Sequence, residues 1–341
     1  MITRTPDGVQ TIAAHTPDAD WQTQLREVIR DPVTLLDALG LPHSLLEGAY
    51  GGHRQFSVRV PRAYLNRMTP GDPDDPLLRQ VLPLAQESDS VAGFVTDPLA
   101  EAEHTPHSGL IHKYAGRVLL IASAGCAINC RYCFRRHFPY EDHTPSMAQW
   151  QATLDYLRDD SSITEAILSG GDPLVSSDRR LAWLCRELAD IPHLRRLRLH
   201  TRLPVVIPDR IDDALLEWLG TTRLQRVMVL HINHPREIDD AVRDACRRLR
   251  QAGVTLLNQS VLLRGINDDA DTLAALSETL FEAGIQPYYL HVLDAVAGAA
   301  HFDVPDDEAR ALVAQLRARL SGFLLPRLVR EVPGAVSKTP L

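Results

Sequence analysis

No stretch of 18 or more apolar residues occurs in the chain, so it contains no candidate for an ordinary membrane-spanning helix. The opening residues, Met1 to Gly8, lack the apolar core of a secretory signal. Cysteine is scarce, five residues in 341, and three of the five are clustered. That distribution does not suit a disulfide framework. Positive charge is also in deficit: 36 Lys and Arg stand against 44 Asp and Glu, a net charge of −8. A surface that tracks phosphates wants the opposite sign, so nucleic acid is not an expected partner. Internal repeats and low-complexity tracts are absent. Hydrophobic residues make up 45% and charged residues 23%, the balance of a globular protein with a sizeable core. Thiolates meant for a metal need a reducing compartment, and a cytoplasmic location is expected.

The clustered cysteines carry the most information. Cys126, Cys130 and Cys133 lie in Cys-Ala-Ile-Asn-Cys-Arg-Tyr-Cys, a C-x3-C-x2-C spacing. Three thiolates this close can hold three irons of a [4Fe–4S] cluster and leave the fourth open. A zinc site would need a fourth ligand, and His137 is near. Buried free thiols are the third reading. Cys185 and Cys246 fall in helical patterns (Trp183, Leu184, Leu188; Val242, Leu249) and read as core packing. The triplet spacing, with Tyr132 before the last Cys, resembles the radical S-adenosylmethionine superfamily. In that superfamily the amino and carboxylate groups of S-adenosylmethionine chelate the open iron.

Residues 1–115 read as mixed and mostly helical. Trp21, Leu25, Val28 and Ile29 fall at helical spacing after Asp18 and Asp20, and Thr69–Pro76 reads as a loop. From residue 117 apolar, β-rich runs alternate with amphipathic helical ones. Strands are expected at Val118–Ala122, Ala166–Ser169, Leu197–His200, Val227–His231, Thr255–Val261 and Tyr288–Val292, with a possible seventh at Leu324–Val329. Helices are expected near Ser146–Arg158, Asp178–Leu188, Asp212–Leu219, Glu237–Gln251 and Asp271–Ala283. Repeated βαβ units make a parallel sheet with right-handed crossovers. Six or seven strands are too few for a full eight-stranded barrel. Reactive side chains follow the strands in turn: the cysteines, Ser169-Gly-Gly-Asp-Pro, His200-Thr-Arg, His231 with Asn233 and His234, Asn258-Gln-Ser, Asp294 and Lys338. One rim collecting them all is how parallel α/β barrels build active sites. The expectation is an α/β fold: a partial (β/α)6-type parallel barrel over 116–323, a mainly helical region over 1–115, and a tail over 324–341 that closes the site.

Five segments narrow the resemblance. They are Arg117 through Arg136, Ser169-Gly-Gly-Asp-Pro-Leu, His200-Thr-Arg-Leu-Pro-Val-Val-Ile-Pro, Asn258-Gln-Ser-Val-Leu-Leu-Arg-Gly-Ile-Asn-Asp, and Pro287-Tyr-Tyr-Leu-His. Together they resemble the lysine 2,3-aminomutase family over roughly residues 55–341. The run Cys130-Arg-Tyr-Cys-Phe-Arg-Arg-His-Phe-Pro-Tyr and the tail resemble the bacterial branch that supplies (R)-β-lysine for modifying elongation factor P. The resemblance implies three cofactors: a [4Fe–4S] cluster on Cys126, Cys130 and Cys133, S-adenosylmethionine along Gly170, Gly171, His231 and Gln259, and pyridoxal phosphate as a Schiff base on Lys338 with its phosphate on Arg117. It implies L-lysine as substrate, with its carboxylate on Arg135 and its ε-ammonium on Asp294 assisted by Glu331. It also implies a cellular electron donor and an isomerase reaction. A 1,2-amino shift at an unactivated carbon needs radical chemistry that cofactors provide.

Two departures qualify the likeness. The longer aminomutases continue into a segment with a structural zinc site, so no zinc is expected here. They also carry Asp where this chain has Glu331, one methylene longer. The competing readings are a 2,3-aminomutase for another cationic amino acid and, more distantly, a non-catalytic iron–sulfur or zinc protein.

Overall fold

The computed structural model describes residues 20–140 and 145–341. Its frame is a nine-stranded sheet whose spatial order follows the chain: β1 (Leu110–Tyr114), β2 (Arg117–Ser123), β3 (Glu165–Gly170), β4 (Arg196–Thr201), β5 (Gln225–Leu230), β6 (Thr255–Val261), β7 (Gln286–His291), β8 (Arg327–Arg330) and β9 (Thr339–Pro340). Strands β2 to β8 run parallel. The short outer strands β1 and β9 pair antiparallel at the two edges. Side chains from β1 through β7 line one cavity, so the sheet curls around it. Lys113 of β1 meets Glu331, the residue after β8, at 2.9 Å. That ion pair spans the gap between the first strand and the last parallel one.

Among the described residues four short α-helices precede the sheet: α1 (Trp21–Arg26), α2 (Pro32–Leu39), α3 (Tyr50–Gln55) and α4 (Arg62–Leu65). Asp20 caps α1 by accepting from Thr23 N at 2.6 Å; Asp18 lies outside the described residues. The helical spacing overran the helix. Val28 and Ile29 fall beyond it, and Ile29 forms an antiparallel bridge with Val60. Thr69–Pro76 is irregular, as its Pro, Gly and Asp content suggests, and is organised by buried Asp75, which accepts from the backbone of Thr69, Leu77 and Leu78.

The crossover helices are α5 (Met147–Asp159), α6 (Asp178–Ala189), α7 (Leu203–Val206), α8 (Asp213–Thr221), α9 (Asp240–Gln251), α10 (Ala270–Glu282) and α11 (Asp306–Arg319). Side chains state where most of the long ones begin. Ser146 and Gln149 form a capping box on α5. Asp212, Asp239 and Asp269 cap α8, α9 and α10 through bonds of 2.9, 2.9 and 2.8 Å to the third backbone N–H. Each such cap is worth about 1 kcal/mol. Helix α11 went unread. It starts after Pro305 without a side-chain cap, so the usual start signal is missing. The inner layer under the helices is apolar: Leu168, Leu197, Leu199, Met228 and Leu230 are fully buried. Cys185 and Cys246 sit in this core, at 2% and 0% exposure.

Candidate active site

The cysteine loop begins where β2 ends, and the Ser-Gly-Gly-Asp motif at the end of β3 holds it. Gly171 N donates to Ser123 O and Asp172 N to Gly125 O, both at 2.8 Å. The approach is so close that a side chain cannot be accommodated. A Cβ on Gly170, whose φ is +115°, would stand 2.5 Å from Ser123 O, and one on Gly171 would stand 2.3 Å from Gly125 O. These glycines are required by backbone contact. Asp172 then ties the loop to β4, accepting from Thr201 Oγ1 at 2.7 Å, Arg202 N at 2.8 Å and Leu203 N at 3.0 Å. From the other side, buried Glu87 receives Arg131 Nε at 2.8 Å and Arg136 Nη2 at 2.7 Å. The N-terminal region thereby grips both ends of the Cys-x-x-Cys segment.

Cys126, Cys130 and Cys133 border a cavity of about 560 Å³. Gly170, Gly171, His231 and Gln259 line the same cavity, as do Arg117, Arg135, Asp294, Glu331 and Lys338. The structure therefore brings all twelve candidate residues to one space. They do not form a single rim, however. Arg117 opens β2 and Glu165 opens β3, so the cavity runs the length of the barrel rather than capping its C-terminal end. Burial, reinforced by the neighbouring cysteines, pushes the Cys126 thiol up, and the Cys133 thiol rises to about 11. Three adjacent thiolates in such a place call for a positive partner. Among the described residues no three Cys, His, Asp or Glu side chains converge on one ion. A [4Fe–4S] cluster takes one thiolate per iron, so three cysteines hold three irons and leave the fourth open. His137, the possible zinc ligand, bonds Ala297 O instead at 3.0 Å.

Further along the cavity, Lys338 Nζ bonds Glu331 Oε2 at 2.9 Å, and Lys113 Nζ bonds Glu331 Oε1 at the same distance. The chain holds two lysines against 34 arginines, and both reach this one carboxylate. The two cations hold Glu331 far below the usual carboxylate range against the opposing effect of burial. Asp294 behaves in the opposite way. Burial, then the charge of Glu331, pushes its carboxyl up to about 7. The Arg117 guanidinium lies over the Tyr114 ring at 4.5 Å. Arg135 is held by Glu101 through two bonds of 2.7 Å, with its Nη1 turned to Ser169 Oγ at 3.2 Å. Burial opposes the charge on Arg135, and Glu101 outweighs it. His200, His231 and His291 border the cavity with Nε2 buried and unpartnered. Burial lowers all three, His231 to about 4. They are neutral imidazoles available to a ligand.

Residues 120–276 match the family model described as the radical SAM superfamily. Over 333 residues, 97% of each chain, the sequence is 52% identical to the L-lysine 2,3-aminomutase of Escherichia coli K12. The chain belongs to the lysine 2,3-aminomutase family. It is 50% identical to the L-lysine 2,3-aminomutase of Haemophilus influenzae over 94% of this chain and 95% of that one. Against the enzyme of that name from Clostridium subterminale the identity is 35%, over 94% of this chain and 77% of the relative.

The donor set fits the groups that this family implies. Three thiols in the cavity wall suit the cluster. Unpartnered His231 and His200 beside Gln259 offer polar contacts to S-adenosylmethionine. A lysine amine, a guanidinium and unpartnered His291 suit pyridoxal phosphate. Some strand-end polar residues have other duties. Asn258 and Ser260 flank Gln259 but point outward, as the pleat requires. There they bond the backbone of Ile232. His234 caps a turn by accepting from Arg236 N. Several participants escaped the sequence reading. Glu101 sits in a turn 34 residues before Arg135 with no local signal. Lys113 lies on the unread strand β1. The role of Arg202 depends on partners from four other segments.

Proposed function

We propose that this protein is a radical S-adenosylmethionine, pyridoxal-phosphate-dependent L-lysine 2,3-aminomutase that converts L-α-lysine to β-lysine. One observation carries the reading. A single cavity has three cysteine thiols in its wall together with Lys338, Arg117 and Asp294, whose carboxyl is pushed up to about 7 by burial and then by Glu331. When bound, the cluster and S-adenosylmethionine supply a carbon-centred radical, and pyridoxal phosphate supplies the carbonyl carbon that carries the migrating amino group. Cys126, Cys130 and Cys133 hold the cluster. Gly170 and Gly171 keep the loop close, and His231 and Gln259 face S-adenosylmethionine. Lys338 attaches pyridoxal phosphate, and Arg117 receives its phosphate.

Arg135, oriented by Glu101, presents Nη1 to the substrate carboxylate. Asp294 receives the far ammonium and selects a cationic side chain over an acidic one. Glu331 assists from the same wall, although both its oxygens are engaged by Lys113 and Lys338 in this structure. Enclosure keeps water from the radical. The resemblance of the Cys130–Tyr140 run and the tail to the elongation-factor-P branch extends the proposal to the (R) product, to supply of that modification, to a cytoplasmic location and to a cellular electron donor. Among the described residues no helix is long and apolar enough to cross a membrane.

The test is anaerobic reconstitution with iron and sulfide. S-adenosylmethionine, pyridoxal phosphate, dithionite and L-lysine are then added, and the products are separated by chiral chromatography. β-Lysine is the expected product. Failure to form it in protein loaded with all three cofactors would overturn the assignment.

A further inference from the structure

Arg202, at the end of β4, is 4% exposed and reaches into the cysteine loop. Its Nη1 lies 2.7 Å from Cys130 Sγ. Its Nη2 donates to Gln80 Oε1 at 2.6 Å, Glu237 Oε2 at 2.8 Å and Tyr64 OH at 3.2 Å. Glu237 is fully buried, and its other oxygen receives Asn233 N at 2.9 Å and His234 N at 3.1 Å. A buried ion pair is weak support for a fold, since desolvation offsets most of the attraction. This one places a full positive charge against a sulfur and a full negative charge directly behind it.

We propose that Arg202 is a positioning residue that sets the reduction equilibrium of the iron–sulfur cluster through Cys130, with Glu237 as the counterweight. The inference rests on the cluster reading above. Reduction brings one electron from an external low-potential donor. No bond forms or breaks, and the cluster becomes more negative by one charge. A cation at the ligand sulfur favours the reduced form, and a nearby anion disfavours it. Hydrogen bonds and charge around the sulfurs are general determinants of cluster potential.

The two partners should therefore act in opposite directions, which a merely structural role would not produce. Arg202→Gln should disfavour reduction by about tenfold, and Glu237→Gln should favour it by a similar factor; tenfold is 59 mV for one electron. Tyr64→Phe removes a hydroxyl but no charge and should leave the potential in place. The measurement is a redox titration of reconstituted protein followed by electron paramagnetic resonance, with iron counted in each sample. Should Arg202→Gln fail to fold, Arg202→Lys, which keeps the charge, should retain the parent potential while Glu237→Gln still raises it. Iron-loaded Arg202→Gln and Glu237→Gln variants with the parent's potential, or with shifts of the same sign, would overturn the inference and leave the cluster reading standing. A parent that takes up no iron would overturn both.

Discussion

Replacing Asp294 by Asn tests the chemistry of substrate choice with almost no change of shape. In the substrate-free protein this carboxyl titrates near 7, because burial and then the charge of Glu331 oppose its ionisation. The ε-ammonium of the proposed substrate would add counter-charge beyond that of Lys338 and Lys113. A charge-assisted hydrogen bond of this kind contributes about 1.5–3 kcal/mol. Each 1.36 kcal/mol is a factor of ten, so Asp294→Asn should lower kcat/KM for lysine by roughly 10- to 150-fold. Only the ionised carboxylate can receive the ammonium. The parent's kcat/KM should therefore climb as pH rises to about 7 and then level off, a limb absent from the Asn variant. Stability should move the other way. A carboxyl raised in the folded state holds its proton there more tightly than in the unfolded chain. It thus weakens folding as pH rises from the ordinary Asp range to about 7. Asn removes that penalty, so its Tm advantage over the substrate-free parent should grow across the same interval. Steady-state kinetics and thermal melts from pH 5 to about 8 would check both trends. An Asn variant that turns over lysine like the parent, with the same pH profile, would refute the reasoning.

Three further outcomes are expected. Cys126→Ala, Cys130→Ala or Cys133→Ala should each abolish activity and prevent the protein from holding about four irons, whereas Cys185→Ala and Cys246→Ala should keep the cluster and lose only packing stability; iron analysis and melts decide. Borohydride reduction in the presence of pyridoxal phosphate should fix the cofactor on Lys338, and because Lys113 is the one other lysine, a single peptide map distinguishes the two. Gly171→Ala should lower iron uptake sharply, since its Cβ would stand 2.3 Å from Gly125 O; an alanine variant with full iron content would show that the loop can retreat.

Much of the barrel could be read because its signals are local. Strand β6 runs from Thr255 to Val261 as expected, opening after the Ala252-Gly253 turn. Helices α8, α9 and α10 start where Asp212, Asp239 and Asp269 can cap them. Where local signals fail, so does the reading. The two-residue strand β9 is defined by its pairing with Val329 and Arg330, which no periodicity encodes. Helix α11 lacks a side-chain cap, and the helical spacing at Trp21 runs past Arg26 because the buried Ile29 belongs to a bridge with Val60 and not to the helix.

The site divides along the same line. Side-chain types that chemistry demands, such as three thiols at fixed spacing, are visible in one dimension. The partners that orient them are not, because those come from far along the chain. Glu101 holds Arg135, Glu87 holds Arg131 and Arg136, and Glu237 holds Arg202. In every case a buried carboxylate outside the motif fixes an arginine in or beside the site. Glu101 takes Nε and Nη2 of Arg135, and Glu237 takes Nη2 of Arg202, which leaves each Nη1 pointing in a set direction: that of Arg135 toward Ser169 and Gly170, and that of Arg202 toward Cys130. A free arginine would carry the same charge without that direction. The acidic partners thus turn two arginines at the cavity into aimed donors: one toward the cavity, where the proposed substrate's carboxylate would sit, and one toward the sulfur of Cys130, a proposed cluster ligand.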